Sequence, residues 1–180
     1  MTDSSLATIY SFTLVEEEGH QTAPLAGDPG GATNWGITIA TLSQWLGRPA
    51  EPAEVYALSL GEAQTILRAW YYRGVGAQVS PAGIDLMLTD HAFNAGVPNM
   101  KRIVETIQGS LACEVDGIAG PLTTAAAGGV GPLLAILRDH QEDDYRSKSD
   151  FPTFGTEWLG RLGRRYEAAL SLAGLPAASA

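Results

Sequence analysis

Apolar positions recur at helical spacing over most of this chain. Leu6, Tyr10 and Leu14 lie four apart with Ile9 beside them. This spacing predicts an amphipathic helix closing near Glu18, with Gly19 as its C-terminal stop. Glu18 is the next position on the same stripe, whereas Glu16 and Glu17 fall off it. From residue 20 to 38 the periodicity breaks and Gly, Pro, Asp and Thr take over. That composition predicts turns with room for a short β-hairpin.

Helical patterning then resumes. Residues 41–46 read as a short helix stopped by Gly47. Ser59-Leu60-Gly61-Glu62 has the form of a capping box, in which Ser and Glu satisfy each other's backbone N–H groups. It opens a helix carrying Ala63, Ile66, Leu67, Trp70 and Tyr71. Residues 81–94 predict a helix carrying Ile84, Leu88 and Ala92, ended by Gly96. Pro98 opens another, with Met100, Ile103, Ile107 and Leu111 in register. The segment 116–121 reads as a turn and helix start, and two more helices are expected over 133–145 and 158–173, separated by a polar loop at 146–152. The expected fold class is mainly α, with one small Gly-rich β-hairpin region.

The chain has 180 residues, 45% of them hydrophobic, and a mean hydropathy near zero. These values fit a globular chain. No apolar run reaches the length of a membrane span. Residues 1–10 have neither a basic residue nor a long apolar core, so no secretory signal is expected. A single cysteine, Cys113, excludes an internal disulfide. The net charge of −9 argues against nucleic acid, which requires clustered cations. Arg161, Arg164 and Arg165 do cluster late in the chain, as a solvated face or as ion-pair partners.

The region around Glu18 offers chemistry. Three features would raise the pKa of this carboxyl: a helix C-terminus, two preceding glutamates and an apolar stripe. A carboxylic acid kept protonated near neutral pH can donate to a glycosidic oxygen. Asp28, alone, is a turn residue before proline; as a second carboxylate it could stabilise positive charge on a sugar or activate water. Thr33 could be a strand residue or could hold that water. Other chemistries lack motifs. The three histidines, His20, His91 and His140, have no metal-binding spacing. Neither Gly-x-Ser-x-Gly nor a phosphate-binding glycine loop occurs.

Glu18-Gly19, followed by Asp28-Pro29-Gly30-Gly31-Ala32-Thr33-Asn34-Trp35-Gly36-Ile37-Thr38, resembles the N-terminal signature of glycoside hydrolase family 108. That family reads roughly E-G-G-Y, then D-x-G-G-x-T-x-x-G-I. Trp70-Tyr71 resembles the family's Y-W segment. Asp90-His91-Ala92-Phe93-Asn94-Ala95-Gly96 resembles its D-x-x-x-N-x-G helix, and Ile107-Gln108, 116–123 and 157–161 resemble its predicted peptidoglycan-binding region. The sequence departs from the family at His20-Gln21, where Gly-Tyr is usual.

The resemblance implies a lysozyme-like enzyme acting on bacterial peptidoglycan. It would be an endolysin-like N-acetylmuramidase needing no cofactor or metal. Glu18 would be the catalytic acid, with Asp28 and Thr33 in support. Trp35, Trp70, Tyr71, Asn94 and His20 are the candidate substrate-binding residues. A catalytic lobe is expected over 5–84 and a helical, wall-binding lobe over 85–173, the two packed as one compact domain, followed by a tail at 174–180. The expected protein is a monomer made in the cytoplasm and acting at the cell wall after release through a holin or a secretion route. Two rivals stand beside this reading. A lytic transglycosylase would use one acid/base glutamate and leave an anhydro product. A non-catalytic wall-binding protein would use only the C-terminal half.

Overall fold

The computed structural model describes residues 3–21 and 31–177, except for the side chains of residues 3, 4, 17 and 18. Among these residues the chain is mainly α with one two-stranded antiparallel sheet, the fold class expected. No described helix is long and apolar enough to cross a membrane. Two compact units form, residues 10–69 and residues 1–9 with 70–180.

Helix α1 (Asp3–Tyr10) runs on, within residues 10–69, as a π-helical stretch, Ser11–Glu18. The Gly19 N–H closes it on Leu14 O at 3.0 Å, an i→i−5 bond. The helix therefore ends where the sequence places its stop, but its winding is wider than the stripe argument assumes. Phe12, Thr13 and Leu14 are all buried there, while Leu6 and Tyr10 are only half-buried. A hairpin comes next, β1 (Thr33–Asn34) and β2 (Ile37–Thr38), with Asn34 opposite Ile37. Its two-residue turn has positive φ at Trp35 (53°) and Gly36 (70°). That combination defines a type I′ turn, whose twist matches the strands it joins.

Thr38 caps α2 (Ile39–Leu46) through its hydroxyl, and Gly47 ends it at φ 67°. The short helix α3 (Pro52–Tyr56) escaped the sequence reading. It starts at Pro52 with the Glu54 carboxylate reaching back to the Glu51 N–H at 2.8 Å. The Ser59/Glu62 capping box is formed as expected at the start of α4 (Leu60–Ile66), which continues as a π-helical stretch, Leu67–Tyr72.

The larger unit is built around α5 (Ile84–Ala95). It packs against α6 (Val97–Ser110), α8 (Val130–Arg146) and α9 (Phe151–Leu172). The short α7 (Pro121–Ala126) comes after the 116–120 turn and contacts α8. Residues 84–92 are all buried, so α5 presents no solvent face over its first turns. A helix covered all round is a central one. Its start needs Gly83, at φ 88°, because a Cβ there would collide with the Ala169 carbonyl oxygen of α9. The buried Asp85 carboxylate accepts from the Gly83 and Leu86 N–H groups and from the Ser5 hydroxyl, and burial raises its pKa.

Candidate functional site

Glu18 is the last residue of the π-helical stretch; its side chain lies outside the described residues, and so does all of Asp28. The chain just beyond Glu18 is held by a defined set of bonds. Gly19 turns it with φ 70° and ψ 175°. The Gly19 carbonyl accepts from the Trp35 N–H at 3.1 Å, tying the helix end to the hairpin tip. The His20 ring stacks on the Trp35 indole, with centroids 4.8 Å apart and planes 26° apart.

Trp35 holds a left-handed backbone conformation that is costly for a bulky residue. Three contacts offset that cost: the backbone bond to Gly19, the stack on His20, and an indole N–H bond to Leu58 O at 3.0 Å.

The centre of this arrangement is Asn34, which is fully buried. Its Oδ1 accepts from the Gln21 N–H at 2.9 Å and lies 3.0 Å from His20 Nδ1. Its Nδ2 donates toward the carbonyls of Val55, Tyr56 and Leu58 at 3.2, 3.3 and 3.1 Å. Three carbonyls on one side and a backbone N–H on the other fix which way the amide points. His20 Nδ1 must therefore be the donor, and in the neutral ring Nε2 carries the lone pair. Sequence reasoning chose His20 and Trp35 but missed Asn34. A signal was present: in a two-residue hairpin, Asn-Trp-Gly-Ile places Asn34 across from an apolar Ile37, on the inward face.

Thr33 is half-buried in β1, opposite Thr38. His20, Thr33 and Trp35 thus share the unit of residues 10–69, and His20 touches Trp35. Trp70, Tyr71 and Asn94 belong to the other unit. Trp70 and Tyr71 are half-buried in the π-helical continuation of α4, and Tyr71 packs edge-on against Phe93 with centroids 4.9 Å apart. Asn94 is exposed near the end of α5 and donates from Nδ2 to Asp90 O at 2.9 Å.

Under Asn94 lies an ionised cluster. Asp90, fully buried, takes a bidentate fork from Arg161 at 3.1 and 2.7 Å and a third bond from Arg165 Nη1 at 2.8 Å. Of the late arginines, Arg161 and Arg165 are thus buried ion-pair partners and not a solvated face. Beside them, His91 Nε2 lies 3.1 Å from Asp144 Oδ2. Burial lowers the His91 pKa to about 4 despite that partner, so the ring is neutral at pH 7 and donates from Nε2. Burial alone would raise Asp144; bonds from His91, Lys148 and Asn99 outweigh it and hold the carboxyl below the usual carboxylate range.

Comparison with known proteins fits this geometry. Residues 10–96 match the family described as Glycosyl hydrolase 108. The whole chain is similar to a solved structure from Brucella abortus, that of SagA, with a TM-score of 0.77 and 33% identity over 96% of this chain and 97% of that one. No curated protein matches. A one-third identity running the full length of both chains, with the family match over the helix end and the hairpin, establishes that the chain belongs to glycosyl hydrolase family 108 and is a glycosidase of lysozyme-like fold.

Proposed function

We propose that this glycosidase is a peptidoglycan N-acetylmuramidase. It hydrolyses the β-1,4 bond between N-acetylmuramic acid and N-acetylglucosamine, with Glu18 as general acid. The observation that carries the reading is the fixed chain end around Glu18. A helix stops there, and Asn34 and Trp35 clamp the next three residues. A carboxyl at a helix C-terminus is disfavoured as an anion, which suits a proton donor.

Glu18 gives its proton to the leaving oxygen as the glycosidic bond breaks. Asp28 stabilises the oxocarbenium-like carbon or activates the attacking water, and Thr33 helps hold that water. His20, with Nδ1 engaged, offers Nε2 to a sugar hydroxyl or acetamide N–H. Trp35, Trp70, Tyr71 and Asn94 contact the glycan. Residues 5–84 form the catalytic part and 85–173 the wall-binding part.

The test is Glu18→Gln, which keeps shape and removes the proton. Turbidity loss of outer-membrane-stripped cells should fall by roughly 10²–10⁴-fold, the scale of general acid catalysis, with thermal stability unchanged. Near-normal lysis by this variant would end the assignment. Mass spectrometry of the wild-type digest should show hydrolysed reducing ends; anhydro ends would make the enzyme a transglycosylase.

A further inference from the structure

The unit of residues 1–9 and 70–180 contains a cavity of about 310 Å³ in which Asn94 is the one candidate site residue among the described lining. Tyr145 and Trp158 line it, together with Asn94, Lys148, Asp150 and Arg161. These residues come from the end of α5, from α8, from the α8–α9 loop and from two successive turns of α9. Trp158 is the middle of an aromatic cluster, with ring centroids 5.7 Å from Tyr145, 5.9 Å from Phe154 and 6.5 Å from Phe151. The cluster is built in. Residue 155 is glycine, and a Cβ there would lie 2.7 Å from the Phe151 ring. The Arg146 guanidinium covers Phe151 at 5.3 Å.

The lining chemistry narrows the ligand. Both cations already hold carboxylates, Lys148 with Asp144 at 2.9 Å and Arg161 with Asp90, so the cavity is not a bare anion hole. The groups left for a ligand are different. The Trp158 indole N–H has no hydrogen-bond partner among the described residues, nor has Asn94 Oδ1, and the Asp150 carboxylate is held only by the Ser149 hydroxyl at 3.2 Å. One donor, one amide acceptor and one carboxylate beside aromatic rings complement a molecule with an apolar face and several uncharged polar groups. A pyranose has that form. The Trp158 N–H and Asn94 Oδ1 further match the C=O and N–H of an acetamido group. The volume is at the low end of the roughly 300–1,000 Å³ of ligand pockets, which favours a single ring.

We propose that this cavity binds one N-acetylhexosamine unit of a glycan. Only the choice of sugar rests on the peptidoglycan reading; the lining chemistry of the cavity does not depend on the role of Glu18. Aromatic rings take the C–H face of the sugar, Asn94 and Trp158 take the acetamide, and Asp150 takes hydroxyls.

The test uses the full-length Glu18→Gln protein, ¹⁵N-labelled, titrated with tri-N-acetylchitotriose. The indole N–H signal of Trp158, identified by its loss in Trp158→Phe, should shift as the sugar binds. Asn94→Ala, a surface change, should weaken that binding at least tenfold while the protein stays folded. A Trp158 signal unmoved up to the solubility of the sugar overturns the proposal, as does undiminished binding by Asn94→Ala. A shift driven more readily by a D-alanyl-D-alanine peptide also overturns it, and makes the cavity a stem-peptide site. Wall lysis by the wild type, run in parallel, separates the two readings. Lysis with an unmoved Trp158 removes the cavity assignment alone; a moved Trp158 without lysis removes the muramidase reading and leaves the cavity.

Discussion

The two compact units organise themselves around different polar residues. Residues 10–69 gather loops about a neutral amide, Asn34; the larger unit gathers helices about a carboxylate, Asp90, between Arg161 and Arg165. An amide both donates and accepts, so it can bond backbone from the segment after Glu18 and from the end of α3 and the α3–α4 connection at once. A carboxylate only accepts, and one buried and ionised as Asp90 is here is held by cations. Those come from successive turns of α9, which fixes how α9 lies along α5. The neutral hub suits a region with little regular structure. The ionic hub suits two long helices whose relative register has to be set.

The largest effect should come from the ionic hub. Asp90→Ala leaves two buried guanidinium groups without their shared anion. Removing one partner of a buried pair costs about 3–5 kcal/mol. In a chain of this size that lowers the melting temperature by roughly 10 °C or more, measurable by circular dichroism. A loss under about 1 kcal/mol would mean that the arginines find other partners and that Asp90 is not the hub.

A second effect arises in the same unit and separates ionic from neutral control by pH. The His91 pKa is lowered to about 4 in the folded protein, against an ordinary value near 6.5. Between those values the unfolded chain binds the proton and the folded chain does not. Stability is therefore full above about pH 6.5 and falls as pH drops toward 4, by up to about 3 kcal/mol. Denaturant midpoints measured from pH 7.5 to 4 check this, with His91→Gln as control. An equal acid slope in that variant would assign the loss to other groups.

Sequence patterning located nearly every helix, the capping box at Ser59 and the hairpin, because each is set by local spacing and local hydrogen bonds. It missed α3, five residues long, where periodicity has no room to register. It gave Ile84, Leu88 and Ala92 as what α5 carries and did not reach the burial of Asp85, Thr89, Asp90 and His91. Each of these is buried and bonded by a partner far along the chain or by its own backbone, as with Asp90 and Arg161, which are 71 residues apart. Around the candidate site, the helix end at Glu18 and the hairpin that carries Thr33 and Trp35 were legible. Asn34 was not, because its importance lies in where its five bonds go, to Val55, Tyr56 and Leu58 as well as to its neighbours.

The smallest loss of stability, and the sharpest comparison, should come from Asn34. Asn34→Ala strands the Gln21 and His20 N–H groups and three carbonyls, but some of these reach water near the surface. The cost should be roughly 1–3 kcal/mol, less than for Asp90→Ala. Its effect on wall lysis should be disproportionate, because Asn34 fixes the tautomer of His20 and the path of the chain beyond Glu18. We expect kcat to fall at least tenfold with KM less affected, at a temperature where the variant is fully folded. If Asn34 acts through His20, the pair Asn34→Ala and His20→Gln should be strongly non-additive, the double variant being little worse than the poorer single one. Asp90→Ala assayed below its own melting point should instead keep most of its kcat. Equal losses of kcat in the two hub variants, or full additivity in the cycle, would break the distinction between a hub that places a catalytic segment and a hub that holds a scaffold.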